Sequence, residues 1–179
     1  MTRIAVSDMT PCTKWDLAAR CRLVLRGRRK EKTVEDDIKQ SIAAYLSSHR
    51  YLALATVDAD GKPVVHSMGY ASDGATVYCA TFKGTRKVQN IERDPDVAFV
   101  VAEDYDDWGT IQGVQIQGKA SFLEERDERE RAVGLITQNF PHFANIGPNP
   151  DVVFIKVEPV EGFFIDYTKG FAHKNSVTY

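Results

Sequence analysis

The amino-acid sequence predicts a mainly β fold of the α+β class, with about six antiparallel strands and flanking helices. The chain contains three consecutive β-prone runs, at residues 51–57, 64–70 and 75–81. The short turns between these runs are typical of a β-meander. A uniformly apolar run at 97–102 and a long alternating run at 113–123 follow. Such a sheet is expected to curl into a small closed or split barrel, because closure removes exposed sheet edges.

Helices and further strands are predicted around these runs. The first helix opens at Thr33, and acidic residues fill its first turn, where negative charge suits the helix dipole. Its apolar stripe consists of Ile38, Ile42, Tyr45 and Leu46. A charged helix over about 125–139 follows the long strand, and strand pieces at 152–157 and 162–166 complete the sheet. Within the long strand, Gly118 predicts a bulge or a close approach of another backbone segment.

The prediction divides the chain into three parts. Residues 1–32 form an N-terminal extension with the pattern of one helix, residues 33–167 form the barrel domain, and residues 168–179 form a polar C-terminal tail. The extension contains nine Lys or Arg against three Asp or Glu. Basic runs of this kind are usually solvated, so nucleic acid is not an expected partner.

Composition excludes several classes of protein. No apolar run reaches the roughly 18 residues of a membrane span, and the start lacks a signal-peptide layout, so a cytoplasmic protein is expected. The three cysteines form no C-x-x-C pair, which argues against a zinc site and a disulfide framework. The acidic run at 103–107 lacks the spacing of a calcium loop and predicts a solvated loop, so no metal site is expected.

The most informative stretch is the basic turn, which we define as residues 81–87. It lies between a β-rich run and a short helix pattern that Pro95 ends. Gly84 permits a sharp turn, and Thr85 suits the N-cap position. The cations Lys83, Arg86 and Lys87 crowd the helix start, where positive charge is unfavourable unless an anion binds. Strand–turn–helix starts bind phosphate, whereas the alternative is a solvated basic turn.

Four segments carry a resemblance to a known family. They cover residues 54–63, 77–87, 94–99 and 114–120, and the basic turn matches a Thr–x–x–Gly–Ser–Arg–Lys pattern, with Thr85 in place of the serine. Over roughly residues 33–167 the chain resembles the FMN-binding split barrels related to pyridoxamine 5'-phosphate oxidase. The resemblance implies a six-stranded antiparallel split β-barrel with flanking helices.

The same resemblance implies a cofactor and a set of binding residues. FMN is the implied cofactor, and Arg86 and Lys87 would bind its phosphate with the hydroxyls of Thr81 and Thr85. The second strand would run beside the isoalloxazine, partly through backbone groups. These residues are His66, Ser67 and Met68. Gln115 would come from the facing subunit of a homodimer that binds the cofactor at its interface.

Departures from the oxidase leave the substrate open. The second strand lacks the oxidase's Arg and Lys, and its C-terminal Trp and Arg pattern is missing, so pyridoxamine phosphate is not the expected substrate. The expected function is a flavin-dependent oxidoreductase with no assigned catalytic residue, substrate or electron donor. The alternative is a non-catalytic dimer that binds flavin or haem, with His173 as the candidate haem ligand. Phe171, His173 and Lys174 either cap the flavin site or belong to the polar tail.

Overall fold

The computed structural model describes residues 33–147 and 149–179. The extension predicted at residues 1–32 lies outside the described residues. In the described part of the chain no helix is long and apolar enough to cross a membrane. In chain order the elements are α1 (Val34–Ser48), β1 (Tyr51–Val57), β2 (Pro63–Gly69), β3 (Ala71–Asp73), β4 (Thr76–Phe82), α2 (Arg86–Arg93), β5 (Asp96–Ala102), β6 (Gln112–Phe122), α3 (Arg126–Asn139), β7 (Val152–Asp166) and β8 (Lys174–Thr178).

The strands form one antiparallel sheet that curls into a half-barrel. Its order is β2-β1-β5-β6-β7-β4-β3, and β8 pairs with β7 beside this path. The long strands β6 and β7 make the curl possible, because different halves of β7 have different neighbours. Residues 152–157 pair with β4, and residues 161–165 pair with β8. The predicted class, a mainly β antiparallel split barrel with flanking helices, is confirmed.

Three local predictions differ from the structure. β7 is one continuous strand, where two pieces were predicted. The pairing of β6 with β7 shifts register between Gln117 and Gly118, and this shift accommodates the irregular backbone near Pro159 without ending the strand. A bulge or a close backbone approach was predicted at Gly118. The close approach is confirmed, since a Cβ there would collide with the Glu158 carbonyl oxygen, and the extra residue of the bulge is Val160 of β7, which has no partner in β6. The short strand β3 occupies part of a predicted turn. The expected polar tail contains β8, which is anchored by backbone pairing and by buried Val177.

Two apolar layers hold the elements together. The main layer fills the barrel and includes Ile42, Tyr45 and Leu46 of α1, so the predicted buried stripe of this helix is confirmed. Thr33 caps α1, because its hydroxyl accepts from the Asp36 amide at 3.1 Å and the Asp36 carboxylate accepts from the Thr33 amide. The second layer packs α3 against the other face of β3, β4 and β7.

Strand alternation gives β1 and β2 two different faces. Leu54 and Met68 point into the barrel core, and on the same inner face lie Thr56, which is 1% exposed, and half-buried His66. The outer face carries small or apolar side chains. We define it by Ala53, Ala55, Val65, Ser67, Ala98, Val100, Gln115, Gln117 and Phe163. The inner face therefore ends in polar groups at the end of the barrel where α2 lies.

Candidate functional site

The basic turn connects β4 to α2 as predicted. Gly84 has a φ of +75°, a conformation that favours glycine, and Thr85 occupies the N-cap position with an extended backbone. The Lys83 amide donates to the Asp151 carbonyl at 2.8 Å, which fixes the turn against the start of β7. Val88 and Ile91 of α2 are buried. The turn is thus held at both ends, and its cations lie at the start of a packed helix.

The Thr85 side chain does not cap the helix, so this detail of the prediction is wrong. The amides of Val88 and Gln89 donate to the Thr85 carbonyl, at 3.0 and 3.2 Å, and no amide bonds the hydroxyl. Instead Thr85 Oγ1 is buried without a hydrogen-bond partner. A buried polar group left unpaired costs about 1–3 kcal/mol. A ligand atom that accepts or donates a hydrogen bond at this helix start would satisfy the Thr85 hydroxyl.

Two of the three cations in the turn have partners near the helix start. Arg86 Nη2 donates to Asp58 Oδ2 at 2.7 Å, and the Arg86 side chain is 61% exposed. Lys87 Nζ donates to Thr81 Oγ1 at 3.4 Å. The structure therefore brings Thr81, Thr85, Arg86 and Lys87 to one place. Their predicted role in cofactor binding stays a prediction.

Asp58 is a member of this cluster that the sequence did not single out. Its Oδ1 accepts from the amides of Asp60 and Lys62, at 3.0 and 2.9 Å, and so fixes the β1–β2 turn. The hydrogen bond from the Lys62 amide is the main cause that lowers the pKa of Asp58 below its ordinary value. The Asp60 amide and Arg86 lower this pKa further. Asp58 is therefore a fixed negative charge beside Arg86.

A hydrogen-bond chain connects His66 to α2. Asn90, which is 3% exposed, donates through Nδ2 to Thr56 Oγ1 at 2.9 Å, and Arg93 donates to Asn90 Oδ1 at 3.1 Å. Thr56 Oγ1 lies 3.2 Å from His66 Nε2. Because Thr56 already accepts from Asn90, its own proton is free to point at the imidazole. Burial lowers the pKa of His66, and the positive charges of Lys87 and Arg86 lower it further.

The other predicted residues lie elsewhere. The Met68 side chain is buried in the main core, so only its backbone is available to a ligand. Ser67 and Gln115 lie on the outer face, opposite to His66, in a row that runs through Ala53 and Val100. Three strand spacings separate them, or about 14 Å. Within one chain Gln115 therefore lies far from Ser67 and on the opposite face of the sheet from His66.

The outer face contains a shallow hollow of about 290 Å³. It forms where Ala53, Ala55 and Ala98 leave space between larger neighbours. Phe163 borders it, and Lys174 Nζ lies 3.8 Å from the centre of the Phe163 ring. A separate cavity of about 740 Å³ beside α3 is larger and mostly apolar, but it contains none of the predicted site residues.

The acidic loop and the residues after β7 meet at the opposite end of β5 and β6. Glu103 pairs with His49, and Asp107 accepts from the Gly109 amide at 2.8 Å. The exposed rings of Trp108 and Phe171 lie parallel, with centroids 6.3 Å apart. Within the described ranges, no three His, Cys, Asp or Glu side chains come together as a metal site. His173 Nε2 is hydrogen-bonded to Asn175 at 3.1 Å.

Comparison with known proteins identifies the family. The sequence model of the family described as pyridoxamine 5'-phosphate oxidase matches residues 38–166. The chain belongs to this family. The match covers all eight positions predicted to bind the cofactor, and the resemblance found in the sequence is confirmed. Membership agrees with the split-barrel fold of the structure.

Individual relatives agree on the fold. General stress protein 26 of Bacillus subtilis is 29% identical over 125 residues, which cover 70% of this chain and 86% of that protein. A conserved hypothetical protein of Mycobacterium tuberculosis is 24% identical at a TM-score of 0.66, covering 81% of this chain and 93% of that one. The heme binding protein of Mycobacterium smegmatis is 16% identical at a TM-score of 0.69, covering 78% and 57%. The two structures show a shared fold.

The unpaired Thr85 hydroxyl leads to a stability prediction. Replacing Thr85 with Val should leave the free energy of unfolding within about 0.5 kcal/mol of wild type, or raise it, because the change removes an unpaired buried hydroxyl. The matched control is Thr33→Val, which removes a formed cap and should cost about 1 kcal/mol. Urea unfolding without added flavin measures both, and equal losses would contradict the assignment.

Proposed function

We propose that this protein binds FMN, that the FMN phosphate lies at the basic turn, and that the bound flavin serves an oxidoreductase reaction. The observation that carries the proposal is the buried hydroxyl of Thr85, which has no partner and lies at a cationic helix start. A phosphate oxygen would accept from this hydroxyl. The same anion would reverse the unfavourable placement of Arg86 and Lys87 next to the free amides of α2.

The two cations suit a phosphate in different ways. Arg86 offers a planar donor fork and Lys87 a point charge, so a dianion can use both. Asp58 competes for Arg86 when no anion is present. Because the Arg86 side chain is largely exposed, it is free to reorient from Asp58 towards a phosphate. Thr81 adds a hydroxyl that lies beside Lys87.

The remainder of the flavin is assigned to β2. This strand lies at the end of the sheet order and pairs only with β1 within the described residues, which leaves its other edge available. Backbone groups of residues 66–68 on that edge would bind the polar rim of the ring. The flavin supplies electron or hydride transfer when bound, and the protein supplies binding and orientation. The proposal assigns no side chain as a catalytic residue.

A homodimer is the second part of the proposal. The outer face exposes Val65 and Val100 around the alanine hollow, and an apolar area of this kind is typical of an interface with another chain. A second copy packed there would cover the hollow. It would also bring its own Gln115 towards the β2 edge of its partner, which a single chain does not do. The predicted cytoplasmic location stays a prediction.

The alternative is a haem-binding dimer of the same fold. It is favoured by the shared fold with the heme binding protein of Mycobacterium smegmatis. His173 is the candidate ligand, but its Nε2 is already hydrogen-bonded to Asn175. A haem would have to break this bond, whereas FMN would satisfy a hydroxyl that has no partner. The structure of the chain therefore supports FMN better.

The first functional prediction concerns cofactor identity. Purified protein should bind FMN and show flavin absorption, and Arg86→Ala should weaken binding by about 1.5–3 kcal/mol, or about 10- to 150-fold, because one charged hydrogen bond is lost. Flavin fluorescence quenching measures the affinity. Arg126→Ala is the matched control, because Arg126 also pairs with a carboxylate but lies on α3. A haem spectrum, or unchanged affinity in Arg86→Ala, would overturn this assignment.

The second functional prediction concerns turnover. Under anaerobic conditions NADH or NADPH should bleach the absorption of the bound FMN, because an oxidoreductase flavin accepts a hydride from a donor. Stopped-flow absorbance follows the change, with free FMN at the same concentration as the control. Protein that binds FMN but is bleached by neither donor would favour the non-catalytic flavin carrier.

The third functional prediction concerns the dimer. Val100→Glu should convert the dimer to a monomer, because it places a charge at the centre of an apolar interface. Val133→Glu on α3 is the matched control, since Val100 is 37% and Val133 38% exposed in the protomer. Light scattering after gel filtration measures both masses. A wild-type monomer, or two mutants of equal mass, would contradict the proposed interface.

A further inference from the structure

His66 lies at the end of a hydrogen-bond chain that begins at Asn90 of α2. Thr56 Oγ1 accepts from Asn90 and lies 3.2 Å from His66 Nε2, so the Thr56 hydroxyl can donate to a neutral imidazole that carries its proton on Nδ1. Among the described residues no group bonds Nδ1. This nitrogen is therefore available as a donor, on a ring that is half-buried at the end of the barrel where the basic turn lies.

The charges around His66 come from several elements. From α2, Lys87 and Arg86 both act on the imidazole, while Arg93 is bonded to Asn90 and to the Val57 carbonyl. β1 contributes the neutral Thr56 hydroxyl, and the β1–β2 turn contributes the Asp58 carboxylate, which is paired with Arg86. From β4 comes the Thr81 hydroxyl, which accepts from Lys87. Burial and then these two cations lower the pKa of His66, so a proton on the ring is disfavoured while no anion is present.

We propose that His66 is a further phosphate-binding residue, that it binds in its protonated form, and that phosphate binding at the basic turn is coupled to proton uptake by His66. This inference rests on the proposed function. The family resemblance places His66 beside the isoalloxazine, where its backbone remains available. The contact of its side chain with Thr56 and the charges of Lys87 and Arg86 assign that side chain to the phosphate end. The ligand class is a phosphate monoester dianion.

The coupling follows from charge. A dianion between Arg86 and Lys87 cancels the positive potential at His66 and replaces it with attraction, so the pKa of His66 rises on binding. At a pH between the unbound and bound values, the imidazole takes up a proton. Nε2–H then donates to Thr56 Oγ1, whose two lone pairs accept from Asn90 and His66 together. Nδ1–H remains free for the phosphate.

The sign of the pH effect is therefore defined. The pKa of unbound His66 is below the ordinary 6.5, so the ring is neutral at pH 7 and above. As the pH falls through the bound pKa, the protonated ring adds affinity for phosphate. Because one proton is involved, the gain is at most about tenfold per pH unit. Affinity that His66 contributes should disappear as the pH rises past the bound pKa, because the ring is then neutral.

The test is calorimetric titration with FMN at about pH 6.5 in buffers of different ionisation enthalpy, on wild type and His66→Gln. The heat in each buffer gives the number of protons taken up. FMN phosphate titrates near pH 6 and contributes equally to both proteins. Wild type should therefore take up more protons than His66→Gln, by up to one. Riboflavin, which lacks the phosphate, should show no difference between the proteins.

Each outcome decides between the two proposals. Equal proton uptake in two proteins that both bind FMN overturns the inference and leaves the proposed function standing. Failure of FMN to bind to either protein overturns both. A histidine titration by NMR is a second measurement on the wild-type chain, which has four histidines. Addition of FMN should raise the pKa of one of them, and an unchanged set of four curves would overturn the inference.

Discussion

The junction between α2 and the β1–β2 hairpin is the constraint on which the site depends. A buried amide, Asn90, is bonded to Thr56, and Arg93 donates to the Val57 carbonyl at 3.0 Å. Both bonds connect a helix to a strand more than thirty residues earlier in the chain. Leaving such a buried polar group unpaired costs about 1–3 kcal/mol, so the helix has one favourable position. That position brings the helix start, the Asp58 turn and His66 together.

Several features of this junction destabilise the protein when no ligand is bound. Three cations at or near a helix start and an unpaired buried hydroxyl are each unfavourable in the protein without a ligand. The Asp58–Arg86 pair offsets part of the charge but leaves the hydroxyl unsatisfied. Unfavourable charges and unpaired polar groups of this kind are expected at functional sites, where a bound ligand supplies the missing interaction. The proposed anion would pair with this hydroxyl and with the cations, whereas a solvated turn leaves the buried hydroxyl without a partner.

Sequence patterns predicted the features whose causes are local. The basic turn follows from Gly84 and the neighbouring cations, and the strands follow from alternation, so both were predictable from neighbours in the chain. Asp58 and Asn90 were missed because their roles arise from contacts with residues 28 and 34 positions away. β8 was missed because its residues are mostly polar and its strand is held by backbone pairing. Thr85 occupies the predicted cap position, but the site of its hydroxyl depends on packing.

The two faces of β2 explain why the cofactor can be inferred more readily than the reaction. His66 and the basic turn lie on the inner side of the barrel end, whereas Ser67 and Gln115 lie on the outer face. Among the described strands β2 is at the end of the sheet order, so its free edge separates these two faces. In the proposed dimer, the groups that the flavin meets at this edge would belong to the second copy. In the proposed complex, residues of the basic turn would bind the phosphate, and residues of the outer face would determine what the cofactor reacts with.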